Sequence, residues 1–98
     1  MVVFGTEKGA LVGLEVSREL GYVAWERKLA KKSLIGLPVI NDDKIYVADS
    51  AGGIYATNQK GRLEDKWMAG EASITGIAVD RERVYAATRT GGVVGFSE

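Results

Sequence analysis

The 98-residue chain has no cysteine and no histidine, a single proline (Pro38), and no excess charge, with 13 Lys+Arg against 13 Asp+Glu. Without cysteine there is no disulfide framework and no thiolate metal site. That is compatible with any compartment. The lack of histidine excludes more. A Ser-His-Asp or Cys-His arrangement cannot be assembled, and the commonest transition-metal ligand is missing. Any chemistry would have to run on carboxylates, Lys or Tyr. Zero net charge leaves no overall field to steer the chain onto nucleic acid or an anionic membrane. The one basic run, Arg27-Lys28-Leu29-Ala30-Lys31-Lys32, has no aromatic platform beside it and reads as a solvated strand end and loop. No apolar run approaches the ~20 residues of a membrane-spanning helix. No basic segment followed by an apolar one, as in a secretory signal, is seen after Met1, and the sequence assigns no compartment. The chain opens abruptly inside a repeat, which suits either a free-standing protein or a piece of a longer one.

What is present is a threefold internal repeat. Val2 to Leu14 recurs as Ile45 to Thr57 and again as Val84 to Phe96. From Gly9 to Gly52 is 43 residues, from Gly52 to Gly91 is 39, and from Trp25 to Trp67 is 42. A period near ~40 with several short strands per unit is the mark of propeller blades. In the middle unit, Leu34 to Ile40 is an apolar strand ended by the polar cluster Asn41-Asp42-Asp43-Lys44. Ile45 to Asp49 follows, rich in β-branched and aromatic residues. Ser50-Ala51-Gly52-Gly53 turns the chain, with glycines to supply positive φ. Ile54 to Thr57 returns, and Leu63 to Met68 carries Trp67.

Labelled A to D, the strands read BCD, ABCD, ABC: a partial blade over 1–29, a full blade over 34–68 and a partial blade over 74–97, all in one repeat domain. The stretch Glu15 to Leu20 is too short for a stable helix and is followed by Gly21, so it reads as a turn. Pro38 cannot donate to a ladder, so its strand should be unpaired on one side at that residue.

The run Val3-Phe4-Gly5-Thr6-Glu7-Lys8-Gly9-Ala10-Leu11-Val12-Gly13-Leu14-Glu15, followed by Gly21-Tyr22-Val23-Ala24-Trp25, resembles the repeat of the PQQ-like, or quinoprotein-type, β-propellers. The resemblance covers nearly the whole chain. It implies an all-β fold of antiparallel four-stranded blades, about two and a half to three here, with incomplete end blades. It also implies that a Gly and the Trp after it dock neighbouring blades. These would be Gly21 with Trp25 and Gly61 with Trp67, beside the turn glycines Gly9, Gly52 and Gly91. Quinoprotein dehydrogenases hold PQQ and calcium in a much larger closed propeller, and none of their ligands can be placed on a residue here. The same repeat builds non-enzymatic scaffolds, often extracytoplasmic.

Other candidate sites have simpler readings. Asp49-Ser50-Ala51-Gly52-Gly53 lacks the later acidic ligands of a calcium loop and reads as a hairpin turn. Asp42-Asp43 and Glu64-Asp65 are adjacent carboxylates, and neighbours on a strand point to opposite faces, so neither makes an acid/base pair. Trp25 and Trp67, in matching places, favour blade packing over stacking platforms.

The expected core is Val3, Leu11, Leu14, Trp25, Ile45, Val47, Ile54, Trp67, Ile77, Val79, Val84 and Val93. No catalytic, cofactor-binding or metal-binding residue is assigned. The expectation is a non-catalytic interaction scaffold with a protein partner, or with itself as a dimer closing a six-bladed ring. The competing readings are a fragment of a PQQ-dependent oxidoreductase, and a carbohydrate- or ligand-binding propeller with Tyr22 and Tyr55 as stacking candidates.

Overall fold

A computed structural model describes residues 2–16, 21–69, 74–80, 83–89 and 92–97. Ten strands run through them in chain order: β1 (Val2–Gly5), β2 (Ala10–Val16), β3 (Gly21–Lys28), β4 (Leu34–Asn41), β5 (Lys44–Asp49), β6 (Gly53–Thr57), β7 (Leu63–Met68), β8 (Ile74–Asp80), β9 (Arg83–Thr88) and β10 (Val93–Ser97). They form three antiparallel sheets, β1-β2-β3, β4-β5-β6-β7 and β8-β9-β10. Among the described residues there is no helix. The BCD, ABCD, ABC order read from the repeat is the order of the sheets. The stretch 17–20 and the turn glycine Gly91 lie outside the described residues.

Each sheet stacks on the next, and the pleat decides what meets. In the middle sheet, Ile45, Val47 and Tyr55 face the first sheet, where Leu11, Val3 and Trp25 pack with them, Ala30 and Leu34. Tyr46, Ala48, Ile54 and Ala56 point the other way, onto Ile74, Val84 and Ala86 of the third sheet, with Ile77, Val79 and Phe96 alongside. Both faces of β5 and β6 are therefore covered, which explains why these strands are nearly continuous apolar runs rather than alternating ones. The innermost strands converge, β4 lying against both β1 and β8. Register between β4 and β5 breaks between Ile35 and Val39, across Pro38, which also lies on an edge strand of its sheet.

Two core expectations change. Val93 occupies the repeat position of Leu11 and Ile54, which are both fully buried, yet it is 72% exposed. Its face of the third sheet has no sheet upon it, so the repeat position is right and the neighbour is absent. Leu14 is half-buried opposite Val2, on the face of the first sheet that no other sheet covers, although Val12 on the same face is buried within its own sheet.

Candidate functional site

The B–C turn of the middle blade is built around one carboxylate. Asp49 ends β5 only 5% exposed, and its Oδ1 accepts hydrogen bonds from the backbone N–H of Ala51 and Gly53, each at 2.8 Å. This is an aspartate bonding the backbone two residues on, which holds a turn. Gly52 has φ +93°, and a Cβ on Gly53 would sit 2.6 Å from Asp49 Oδ2. The other oxygen, Oδ2, accepts the Tyr55 hydroxyl at 2.6 Å. Burial first, and then the hydrogen bond to Asp49, push the Tyr55 phenol well above its ordinary pKa. In the first blade Thr6 plays the smaller part, its hydroxyl accepting from Ala10 N–H at 3.1 Å.

Beside this pair lies a cleft of about 440 Å³, between the ends of the first two sheets. Asp49 and Tyr55 stand at it, Leu29, Ala30 and Met68 give it apolar surface, and Lys28, Lys31, Lys32 and Lys66 surround it. Lys66 sits opposite Tyr55 in the β6–β7 register, with its Nζ 5.3 Å from the ring centroid. That is within cation–π range. The 29–33 connection is held down by Leu29 and Ala30 N–H donating to Gly9 O, by Leu34 N–H donating to Thr6 O, and by the Ser33 hydroxyl donating to Glu7 O. The basic run, read from sequence as a solvated strand end and loop, thus contributes three exposed lysines to one cleft. Sequence reasoning missed this convergence and the Asp49–Tyr55 pair. The signal that could have found both is that these residues depart from the repeat.

The tryptophans lie on the faces directed to the following sheet. Trp25 donates its Nε1–H to Gln59 O at 3.0 Å, in the C–D turn of the middle blade. Its ring fills a slot whose walls are Gly13, its cross-strand partner, and Gly61 of the next blade. Gly61 has φ +79°, and a Cβ there would meet the Trp25 ring at 2.6 Å. Trp67 stacks at a tilt on Phe96 of the third sheet, centroids 5.9 Å apart. Gly61 therefore meets the tryptophan of the preceding blade and not Trp67. Gly21 opens β3, where a Cβ would have ordinary room beside Glu15 O. Gly9, with φ +84°, brings its backbone directly against Ala30 O.

Among the remaining candidates, Asp42 and Asp43 form the β4–β5 turn rather than lying on a strand, with Asp42 at φ +54°. Glu64 and Asp65 lie exposed on β7. Tyr22 is exposed, whereas the Tyr55 ring is buried and not open to stacking by a sugar. Among the described residues no group of three or more His, Cys, Asp or Glu could hold a metal ion, and no helix is long and apolar enough to cross a membrane.

No protein-family model matches the chain, and no curated protein matches it. Eleven chains of solved structures do. One is BamB from Moraxella catarrhalis, with a TM-score of 0.72 and 23% sequence identity over 98% of this chain and 28% of that one. The chain spans well under a third of the length of that neighbour. The likeness and the stacked antiparallel sheets together make the fold a partial β-propeller of a few blades.

Proposed function

We propose that the chain is an arc of a PQQ-like β-propeller that acts as a non-catalytic protein-interaction scaffold. Its two end faces take further blades of the same kind, whether from a second copy or from a longer propeller. The observation that carries this reading is the equivalence between buried and exposed faces. Val47 of the middle blade and Ala86 of the third are buried against the blade before them. Their counterpart in the first blade, Phe4, is 40% exposed. Leu11 and Ile54 are buried against the blade after them, and their counterpart Val93 is bare. The first sheet thus offers Val2, Phe4 and Val16 to solvent, and the third offers a shallow apolar hollow of about 310 Å³ lined by Ala78, Tyr85, Ala87 and Val93. Exposed apolar faces of this kind mark interaction surfaces. Trp25 with Gly61 serves as the docking contact between the first and middle blades, and Trp67 between the middle and third, with Gly21 and the turn glycines Gly9, Gly52 and Gly91 shaping the chain around them.

The stacking has a direction. Leu11 and Val47 share the first inter-sheet core, and Ile54 and Ala86 share the second, at equivalent positions. The closing seam must then bring Val93 of one copy against Phe4 of the next. Two such arcs would make six blades, within the usual range of about four to eight. The cysteine-free sequence allows a direct test. Mixed Phe4→Cys and Val93→Cys chains should form a disulfide heterodimer under mild oxidation, and neither variant alone should do so efficiently. Equal crosslinking of each variant with itself would refute head-to-tail docking.

A further inference from the structure

Six side chains that break the repeat gather around one cleft. Where the middle blade has Asp49 and Tyr55, the first has Thr6 and Val12 and the third has Thr88 and Val94. Lys66, next to Trp67, stands where the first blade has Ala24 next to Trp25. The connection bearing Lys28, Lys31 and Lys32 has as its counterpart Ala69-Gly70-Glu71-Ala72-Ser73, which holds no base. Blade architecture does not demand any of these residues, since the other units are built without them. Yet all six line the same space of about 440 Å³.

We propose that this cleft is a docking site for an extended acidic peptide segment of a partner protein. Four lysines line it against a single carboxylate, that of Asp49. That carboxylate is already engaged by Ala51 N–H, Gly53 N–H and the Tyr55 hydroxyl. Lys28, Lys31 and Lys32 are exposed, and Lys66 is exposed with its Nζ over the Tyr55 ring. The cluster creates a local positive field although the whole chain is neutral. Leu29, Ala30 and Met68 add apolar surface between the lysines, which suits a segment alternating acidic and aliphatic side chains, as an extended strand presents them on opposite sides.

A nucleic acid fits less well. The Tyr55 ring is 2% exposed and capped by Lys66, so it offers no stacking platform. The neutral chain offers no long basic track for a phosphate backbone. The inference rests on the scaffold reading only in taking a protein as the ligand. The cleft is complete within one chain and does not depend on ring closure.

Fluorescence anisotropy tests it with a labelled peptide of alternating Glu and Leu, against a Lys-Leu peptide and an oligothymidine of equal length. The expected result is saturable, salt-weakened binding of the Glu-Leu peptide alone. The double variant K31E/K32E, on an exposed connection, should weaken it about tenfold or more, with circular dichroism and sedimentation unchanged. Lys66→Ala, on a separate element, should weaken it as well. Absence of saturation, a double variant within about twofold of wild type, or tighter binding of the oligothymidine would each overturn the proposal. Loss of peptide binding with assembly intact sinks the cleft alone, and loss of head-to-tail crosslinking with peptide binding intact sinks the scaffold reading alone.

Discussion

Asp49 and Gly61 show how single residues fix this fold, by opposite means. Asp49→Ala would strip three donors of their acceptor in a buried turn, and should lower stability by about 2–4 kcal/mol in chemical denaturation. Asp49→Thr should recover part of that, because Thr6 holds the equivalent turn in the first blade. The buried phenol gives a pH signature. Tyr55 keeps its proton at pH values where an unfolded tyrosine, with a pKa of 10.0, has lost it. The unfolded chain then binds fewer protons than the folded one, so stability falls as pH rises. The advantage of wild type over Tyr55→Phe should be constant below about pH 10 and shrink above it. An advantage that grows with alkalinity would contradict the buried Tyr55–Asp49 pair. At Gly61, alanine would combine a left-handed backbone with a clash against the Trp25 ring, at a cost of about 2–3 kcal/mol. In the Trp25→Ala background the ring part of the clash should vanish, leaving only the flexible Arg27 side chain to shift, with a coupling of about 1 kcal/mol in a double-mutant cycle.

At the scale of strands and turns, nearly everything was legible because the repeat can be checked against itself. Ten strands and their order follow from three aligned copies. Side-chain burial was legible only on faces that have a neighbouring sheet upon them. Leu11, Ile54 and Val93 share one repeat position, and the first two are buried while Val93 is bare, a difference that periodicity cannot see. The Asp49–Tyr55 pair and the lysine cleft escaped for another reason. Lys66 meets Lys28, Lys31 and Lys32 only through the stacking of two sheets, and local pattern carries no record of that. Burial on both faces should also make β5 and β6 the most protected elements in amide hydrogen exchange, with the exposed outer strands β3 and β7 opening first. Faster exchange in β5 than in β3 would mean that the middle sheet is not the core.

For the whole molecule, the stacked sheets have a head and a tail. Each blade buries its Val47-type face on the blade before it and its Leu11-type face on the blade after it, so the arc ends in two unlike apolar surfaces. Each repeat relies on the next to cover it, and bare sheet faces and edges otherwise invite uncontrolled association. Phe4→Asp and Tyr85→Asp lie on opposite end faces, so either alone should break head-to-tail docking, whereas K31E/K32E should leave it intact. The most direct test of the account is sedimentation velocity of the 98-residue chain over a concentration series beside these two variants. The account predicts a discrete species heavier than the monomer for wild type, reduced to monomer by either substitution. A wild-type chain that stays a well-behaved monomer throughout the series would contradict docking by a second copy, and leave the end faces to blades of a longer propeller.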